Sequence, residues 1–114
     1  MPIVINDVSL LQRYLQGVMT RADHHANEVN EIALAVAGFI IWKKDPDPIQ
    51  VRGHLGGTAN ALWVKINGTR YAFSYNHHTG GTIDIRSGSI RSPTRHSISN
   101  QTSLADLRQI FDSL

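Results

Sequence analysis

Basic side chains and histidines, which bind anions and carry protons, are concentrated in one stretch of this sequence. Residues 49–102 contain six of the eleven lysines and arginines, four of the six histidines and a single acid, Asp84. A long stretch of one charge sign favours an anionic partner. The plainer alternative is that acidic helices of the same chain, or of a second copy, neutralise it.

Two groups of residues resemble parts of a metal site, and neither is complete. His24, Glu28 and Glu31 follow one another at helical spacing, but a shared metal needs ligands from other helices, and no matching motif follows. His77 and His78 stand in a glycine-rich turn, and adjacent histidines chelate poorly by themselves. We therefore predict no metal site, and we keep His77 and His78 as candidates for contact with a ligand or partner.

Histidine and arginine together could also cleave RNA, with histidine as general acid or base and arginine on the phosphate. Arg86 is an arginine in the right region, yet no spacing among these residues is diagnostic of catalysis. An enzyme is therefore the weaker interpretation, and we predict neither catalytic residues nor a cofactor. Arg86 remains a candidate binding residue.

The strongest local signal is Asn67-Gly68, which lies between two stretches of alternating residues, 60–66 and 69–75. This dipeptide is typical of a two-residue type I′ hairpin, whose central residues both need a positive φ. The turn sets the register, and residues that lie opposite each other share a face. The face that we expect to enter the core carries Leu62, Val64, Ile66, Tyr71, Phe73 and Tyr75.

The other face of the hairpin is predicted to hold Trp63 opposite Ala72, with Arg70 diagonal to Trp63 and Lys65 on the same strand. An aromatic ring between two cations can stack a base or anchor a protein partner. Because an open face with a tryptophan is costly to leave in water, we expect a second copy of the chain to cover it. Trp63, Lys65 and Arg70 are therefore the leading candidates for a binding site.

The candidate site residues need a fold that places a sheet beside helices. The periodicity of the apolar residues predicts one α+β domain over residues 1–114. One helix, or two helices joined near Thr20, precedes Gly38. Phe39–Trp42 is then predicted as an apolar strand because it is β-branched and aromatic, and Ile49–Arg52 as the strand that returns beside it. The complete sheet is predicted to be an antiparallel meander of four or five strands.

The pattern of the last residues predicts a helix that covers the sheet. Residues 90–98 form a weak extended segment that Pro93 interrupts, which predicts an edge strand or a loop. Ser103 is the predicted N-cap of the closing helix, which we expect to pack on one sheet face. The residues predicted to form its buried stripe are Leu104, Leu107, Ile110, Phe111 and Leu114.

Two segments near the end of the sequence carry a family resemblance. They are residues 76–86, NHHTGGTIDIR, and residues 100–111, NQTSLADLRQIF. These segments look like small orphan proteins encoded by bacterial integron gene cassettes, and the shared motifs are a turn, a strand and a capped helix. The resemblance implies a mobile-element accessory protein with an α+β fold, often an oligomer, without an assigned activity. It supplies no catalytic residue.

Composition excludes several classes of protein. The chain has 114 residues and no cysteine, which excludes a disulfide scaffold and a thiolate metal site. Its longest apolar run, Ile32–Trp42, has 11 residues and is too short to cross a bilayer, so no membrane partner is predicted. The first residues lack a basic segment and a long apolar run, so we expect no signal peptide and a cytoplasmic, bacterial protein.

Two functions of different classes are consistent with these patterns. The first is a non-enzymatic interaction module that self-associates, with a dimer favoured, and binds a protein or a small ligand. The alternative is a basic nucleic-acid-binding protein or a small toxin-like ribonuclease. The second class requires the arginines of the basic stretch to converge on one exposed face. The arginines concerned are Arg52, Arg70, Arg86, Arg91 and Arg95.

Overall fold

The structure is a computed structural model that describes residues 2–5, 8–25, 29–52, 61–76 and 81–114. Within these ranges the chain forms three helices and a six-stranded antiparallel sheet whose strands follow chain order. The strands are β1 (Pro2–Ile5), β2 (Ile49–Arg52), β3 (Ala61–Ile66), β4 (Thr69–Asn76), β5 (Thr82–Ser87) and β6 (Thr94–Ile98). The helices are α1 (Val8–His25), α2 (Asn30–Lys43) and α3 (Leu104–Asp112). The predicted α+β class is confirmed.

The β3–β4 hairpin has the predicted turn and register. Asn67 and Gly68 have φ angles of 52° and 82°, as a type I′ turn requires. Trp63 lies opposite Ala72, and the pairing continues without a break along β3. Alternate side chains of the hairpin therefore face the helices and the open side of the sheet.

The predicted strand Phe39–Trp42 is wrong, because these residues form the last turns of α2. β-branched and aromatic residues favour strands only weakly, and tertiary packing overrides that preference. Ile40 is buried in the core, and the ring of Phe39 stacks on Phe111 with the centroids 5.2 Å apart. The helix continues through Gly38 although glycine costs a helix interior about 1 kcal/mol relative to alanine.

The N-terminal part of the chain supplies two helices and an additional strand. Thr20 lies inside α1, so a joint between helices near Thr20 is wrong. The predicted meander is confirmed as β2–β6, and β1 adds a sixth strand to it within the described residues. β1 takes the place beside β2 that we predicted for the 39–42 stretch, with Ile3 opposite Val51.

Both edge strands of the sheet begin at a proline or directly after one. Pro2 is the first residue of β1, and Pro93 precedes β6, which begins at Thr94. Proline has no N–H to donate to a neighbouring strand, so edges are where a sheet tolerates it. The prediction that Pro93 confines this part of the chain to an edge strand is confirmed.

The core lies between the helices and one face of the sheet. Ile85 at the centre of β5 is fully buried in the same apolar cluster as residues of α2 and α3. Phe111 of α3 stacks on Phe73 of β4 with the ring centroids 5.8 Å apart. The oxygen of Ser103 accepts a hydrogen bond of 3.0 Å from the backbone N–H of Asp106. The closing helix is thus capped and packed as predicted.

The prediction of a buried stripe on α3 is wrong for one residue, Leu104. Leu104 is 65% exposed, whereas Leu107 is completely buried. Leu104 stands in the first turn of α3, one turn before the first core residue of that helix, so the core does not reach it. The remaining stripe residues, which are buried or partly buried, are Leu107, Ile110, Phe111 and Leu114.

Candidate functional site beside Trp63

The sheet face that points away from the helices carries most of the residues that we predicted to bind. Gln50 of β2 lies opposite Trp63 of β3, and Arg86 of β5 stands in the same row two strands further on. Lys65 and Arg70 lie directly opposite each other in a neighbouring row. Strand pairing alone therefore gathers four of the six predicted site residues on one face.

A groove of about 230 Å³ opens on this face beside Trp63. One wall comes from β2 and the turn before it, and the other from the β3–β4 hairpin. The residues that line the groove are Asp47, Pro48, Gln50, Trp63, Val64, Lys65 and Arg70. Pockets for drug-sized molecules have volumes of roughly 300–1,000 Å³, so this groove fits a smaller ligand or one end of a larger one.

Arg70 closes one side of the groove, and Gln50 holds it in place. Nη2 of Arg70 donates a hydrogen bond of 3.1 Å to Oε1 of Gln50, which lies two strands away. The guanidinium therefore crosses β3 and lies over the indole of Trp63, with Cζ 5.2 Å from the ring centroid. A cation over an indole gains about 0.5–1 kcal/mol at an exposed site. The charge and the flat apolar surface are thus fixed relative to each other.

Lys65 brings a second cation to the groove. Its Nζ lies 3.9 Å from Oδ2 of Asp47, and the two side chains are 50% and 57% exposed. An exposed pair at this distance contributes little to stability. A carboxylate that enters the groove can therefore replace Asp47 as the partner of Lys65 at small cost.

Arg86 lies on the same face but belongs to a separate polar cluster around Asp84. Asp84 is 1% exposed, and its Oδ2 lies 3.2 Å from Nη2 of Arg86. The carboxylate also accepts hydrogen bonds between 2.7 and 2.9 Å from Asn76, Thr82 and Ser97. Burial raises the pKa of Asp84, but these hydrogen bonds and the charge of Arg86 together bring it below its ordinary value. Arg86 is thus engaged with Asp84 and does not line the groove.

Four residues that line the groove were not among the predicted site residues, and two of them, Gln50 and Asp47, bring polar side chains. The alternation of apolar and polar residues in β2 was a usable signal for Gln50, because it puts Gln50 on the polar side of the strand. Asp47 had no signal of this kind, since it lies in the turn between α2 and β2. That turn is held against the hairpin by Asp45, whose backbone N–H donates a hydrogen bond of 2.8 Å to the carbonyl of Lys65.

The two adjacent histidines are the remaining predicted site residues, whereas no metal site and no membrane partner was predicted. His77 and His78 lie outside the described residues. In the ranges that the structure describes, no group of three or more histidines and acids could hold a metal ion. Within the same ranges, no helix combines the length and the apolar character needed to cross a membrane.

A family model matches most of the chain. It is described as integron cassette protein VCH_CASS1 chain, and it matches residues 11–108. This range contains β2–β6 and hence every residue that lines the groove. No curated protein matches the chain.

Proposed function

We propose a binding function for this protein, which belongs to the integron cassette protein family whose model it matches over residues 11–108. It is a non-enzymatic interaction module that binds a small planar anion, such as an aromatic carboxylate, in the groove beside Trp63 and associates with itself. The observation that carries the proposal is the guanidinium of Arg70, which Gln50 holds over the Trp63 ring.

The residues of the groove favour a ligand that has both a ring and a carboxylate. A guanidinium offers a planar fork of N–H donors that matches a carboxylate, and Lys65 offers a second positive charge nearby. The indole of Trp63 offers a face on which a second ring can stack. Because Arg70 is already ordered, the ligand need not bear the entropic cost of ordering it.

The positions of the arginines support a small ligand over a nucleic acid. Arg70 and Arg86 lie on the groove face, and each is bonded to a neighbouring side chain. Arg95 instead donates a hydrogen bond to the hydroxyl of Tyr71, a residue of the face that packs against the helices. Arg91 is exposed in the turn between β5 and β6. A phosphate backbone needs its cations on one surface, and these four are dispersed.

Calorimetric titration with indole-3-carboxylate and with its neutral amide tests this proposal. We expect the acid to bind, and the amide to bind about tenfold more weakly because it lacks the charge that Arg70 and Lys65 recognise. Arg70→Gln and Trp63→Ala should each weaken binding of the acid by about the same factor. Arg91→Gln removes one charge from an exposed turn and is the matched control, with wild-type affinity.

Two results would contradict the proposal. One is equal affinity for the acid and the amide, and the other is unchanged binding of the acid by Arg70→Gln. Titration of a single-stranded oligonucleotide over a salt series addresses the alternative function. Tight binding that falls steeply with salt and survives Trp63→Ala would favour a nucleic-acid-binding protein.

A further inference from the structure

The large apolar side chains that are exposed in the described residues lie on two helices, not on the sheet. Leu34, Ile41 and Trp42 of α2 are 59%, 43% and 59% exposed, and Leu104 of α3 is 65% exposed. Leu34, Ile41 and Trp42 share one side of α2 with Gly38, opposite the buried side of that helix. We call this side, formed by these four residues of α2, the α2 face.

We propose that the α2 face binds the α2 face of a second copy of this chain, as an antiparallel helix pair around a twofold axis near Gly38. The proposal rests on the self-association in the proposed function. It assigns that contact to a helix, whereas the sequence pattern predicted the sheet face around Trp63. A twofold contact of this kind uses the same surface on both copies and closes without further growth.

The spacing of the apolar residues matches a twofold pairing. Leu34 and Ile41 are seven residues apart, about 10 Å along the helix, with their midpoint between Ala37 and Gly38. In an antiparallel pair centred there, Leu34 of one copy packs against Ile41 of the second copy, and symmetry repeats the contact. The exposed apolar side chains of one copy are thus the complement of those of the other.

The charges around the α2 face favour a second copy over an unrelated partner. Glu31 is exposed in the first turn of α2, at one end of the face. At the other end, Trp42 is flanked by Nζ of Lys43 at 4.1 Å and Cζ of Arg108 at 5.4 Å from its ring centroid. Antiparallel pairing brings Glu31 of each copy to the cations of the other, whereas parallel pairing would bring like charges together.

No contact within the described part of the chain requires a glycine at position 38, the centre of the α2 face. Gly38 is exposed, and a methyl group at this position would meet no atom within 4 Å. Glycine weakens a helix interior, so intrachain packing alone would favour a larger residue here. At the crossing point of two helices, its missing side chain lets the two backbones approach closely.

The surface needed for a dimer extends beyond α2 to α3. A stable interface buries about 800 Å² on each partner, more than one stripe of a 14-residue helix offers. Leu104 lies one turn before Arg108 on α3, and Arg108 stands over Trp42. The two helices together therefore present an apolar centre with a charged rim, which is the usual composition of an interface.

Two charge reversals, Glu31→Lys and Arg108→Glu, test the pairing by sedimentation velocity at micromolar concentration. Wild type is expected to sediment as a dimer. Each variant alone places like charges together at both ends of the helix pair. We expect the dissociation constant of its dimer to rise at least about tenfold, so that the variant sediments as a monomer. An equimolar mixture restores opposite charges at both ends and should sediment as a heterodimer.

Lys65→Glu is the matched control, because it reverses one exposed charge on the groove face and should leave the dimer intact. Gly38→Gln is a second variant, which fills the crossing point without changing charge and should yield a monomer. Thermal melting followed by circular dichroism shows that each variant is folded.

Several outcomes overturn the proposal, and they separate it from the proposed function. Reversal variants that sediment as dimers like wild type contradict the α2 pairing. An equimolar mixture of the two variants that stays monomeric contradicts it as well. Dissociation by Trp63→Ala, with the α2 variants still dimeric, keeps self-association but moves it to the groove face. A monomeric wild type removes self-association altogether, while the titration with indole-3-carboxylate still reports on the groove.

Discussion

Asn100 caps α2 from the connection between β6 and α3, because its Oδ1 accepts a hydrogen bond of 3.0 Å from the backbone N–H of Glu31. The N–H of Ile32 donates to the same oxygen at 3.2 Å. Val29, which occupies the N-cap position of α2, makes no side-chain cap of its own. A residue far along the chain thus accepts hydrogen bonds from two N–H groups in the first turn of this helix, one of which, that of Ile32, also donates to the carbonyl of Val29 at 3.2 Å.

Replacing Asn100 with alanine removes the cap, and we expect a loss of about 1–2 kcal/mol in the free energy of unfolding. Asn100→Asp keeps an acceptor oxygen beside the positive end of the helix, so it should lose less. Urea denaturation followed by circular dichroism measures both changes. Gln101→Ala, at the exposed neighbouring position, is the control and should stay within about 0.5 kcal/mol of wild type. Wild-type stability for Asn100→Ala would contradict the capping role.

The features that the sequence predicted correctly are those that short-range geometry determines. Asn67 and Gly68 need no distant contact to form a type I′ turn, and that turn sets which residues lie opposite each other. The proximity of Trp63 and Arg70 follows directly from this register. Ser103 as the N-cap of α3 is equally local, since its hydrogen bond spans three residues.

The features that the sequence did not predict depend on contacts between distant residues. Phe39 belongs to a helix because its ring stacks on Phe111, and a window of residues around Phe39 does not contain that information. Gln50 reaches Trp63 through the pairing of β2 with β3, whose connection is too long for a tight turn to set the register. The cap that Asn100 supplies to α2 spans 69 residues.

Asp45 anchors the hairpin turn, and its removal should destabilise the protein. Its carboxylate accepts hydrogen bonds from the backbone N–H groups of Asn67 at 3.1 Å and Gly68 at 2.8 Å. Hydrogen bonds to a charged group contribute about 1.5–3 kcal/mol, so we expect Asp45→Ala to lower the free energy of unfolding by about 2 kcal/mol. Asp47→Ala removes an acid of the same turn whose ion pair is exposed, and should cost less than about 0.5 kcal/mol. Equal losses for the two variants would contradict the anchoring role of Asp45.

Asp84 should account for part of the loss of stability in acid. Its pKa is lower in the folded protein than the value of about 3.9 of an unfolded chain, so folding favours the charged carboxylate. The resulting stabilisation is present above the unfolded pKa and is lost as the pH falls through the folded pKa.

Asp84→Asn removes this contribution and leaves Arg86 without its ionic partner. We expect it to cost about 3 kcal/mol at neutral pH, and its stability should then fall less than that of wild type on acidification to about pH 3. Urea denaturation at a series of pH values measures the difference, which isolates Asp84 because His96 and the other groups titrate in both proteins. Asp47→Asn is the control, since Asp47 is exposed and lies 3.9 Å from Nζ of Lys65. Parallel curves for wild type and Asp84→Asn would contradict the assignment.

Gly38→Ala should have opposite effects on the helix and on the proposed interface. Alanine favours a helix interior by about 1 kcal/mol over glycine, and the space around Gly38 within the chain is open, so the monomer should become more stable. The same methyl group at the crossing point keeps the two α2 helices apart and should weaken the dimer. Urea denaturation at concentrations where the protein is monomeric measures the first effect, and sedimentation measures the second. A variant that gains stability and keeps wild-type dimer affinity contradicts a helix crossing at Gly38. A variant that loses monomer stability contradicts the open space around it.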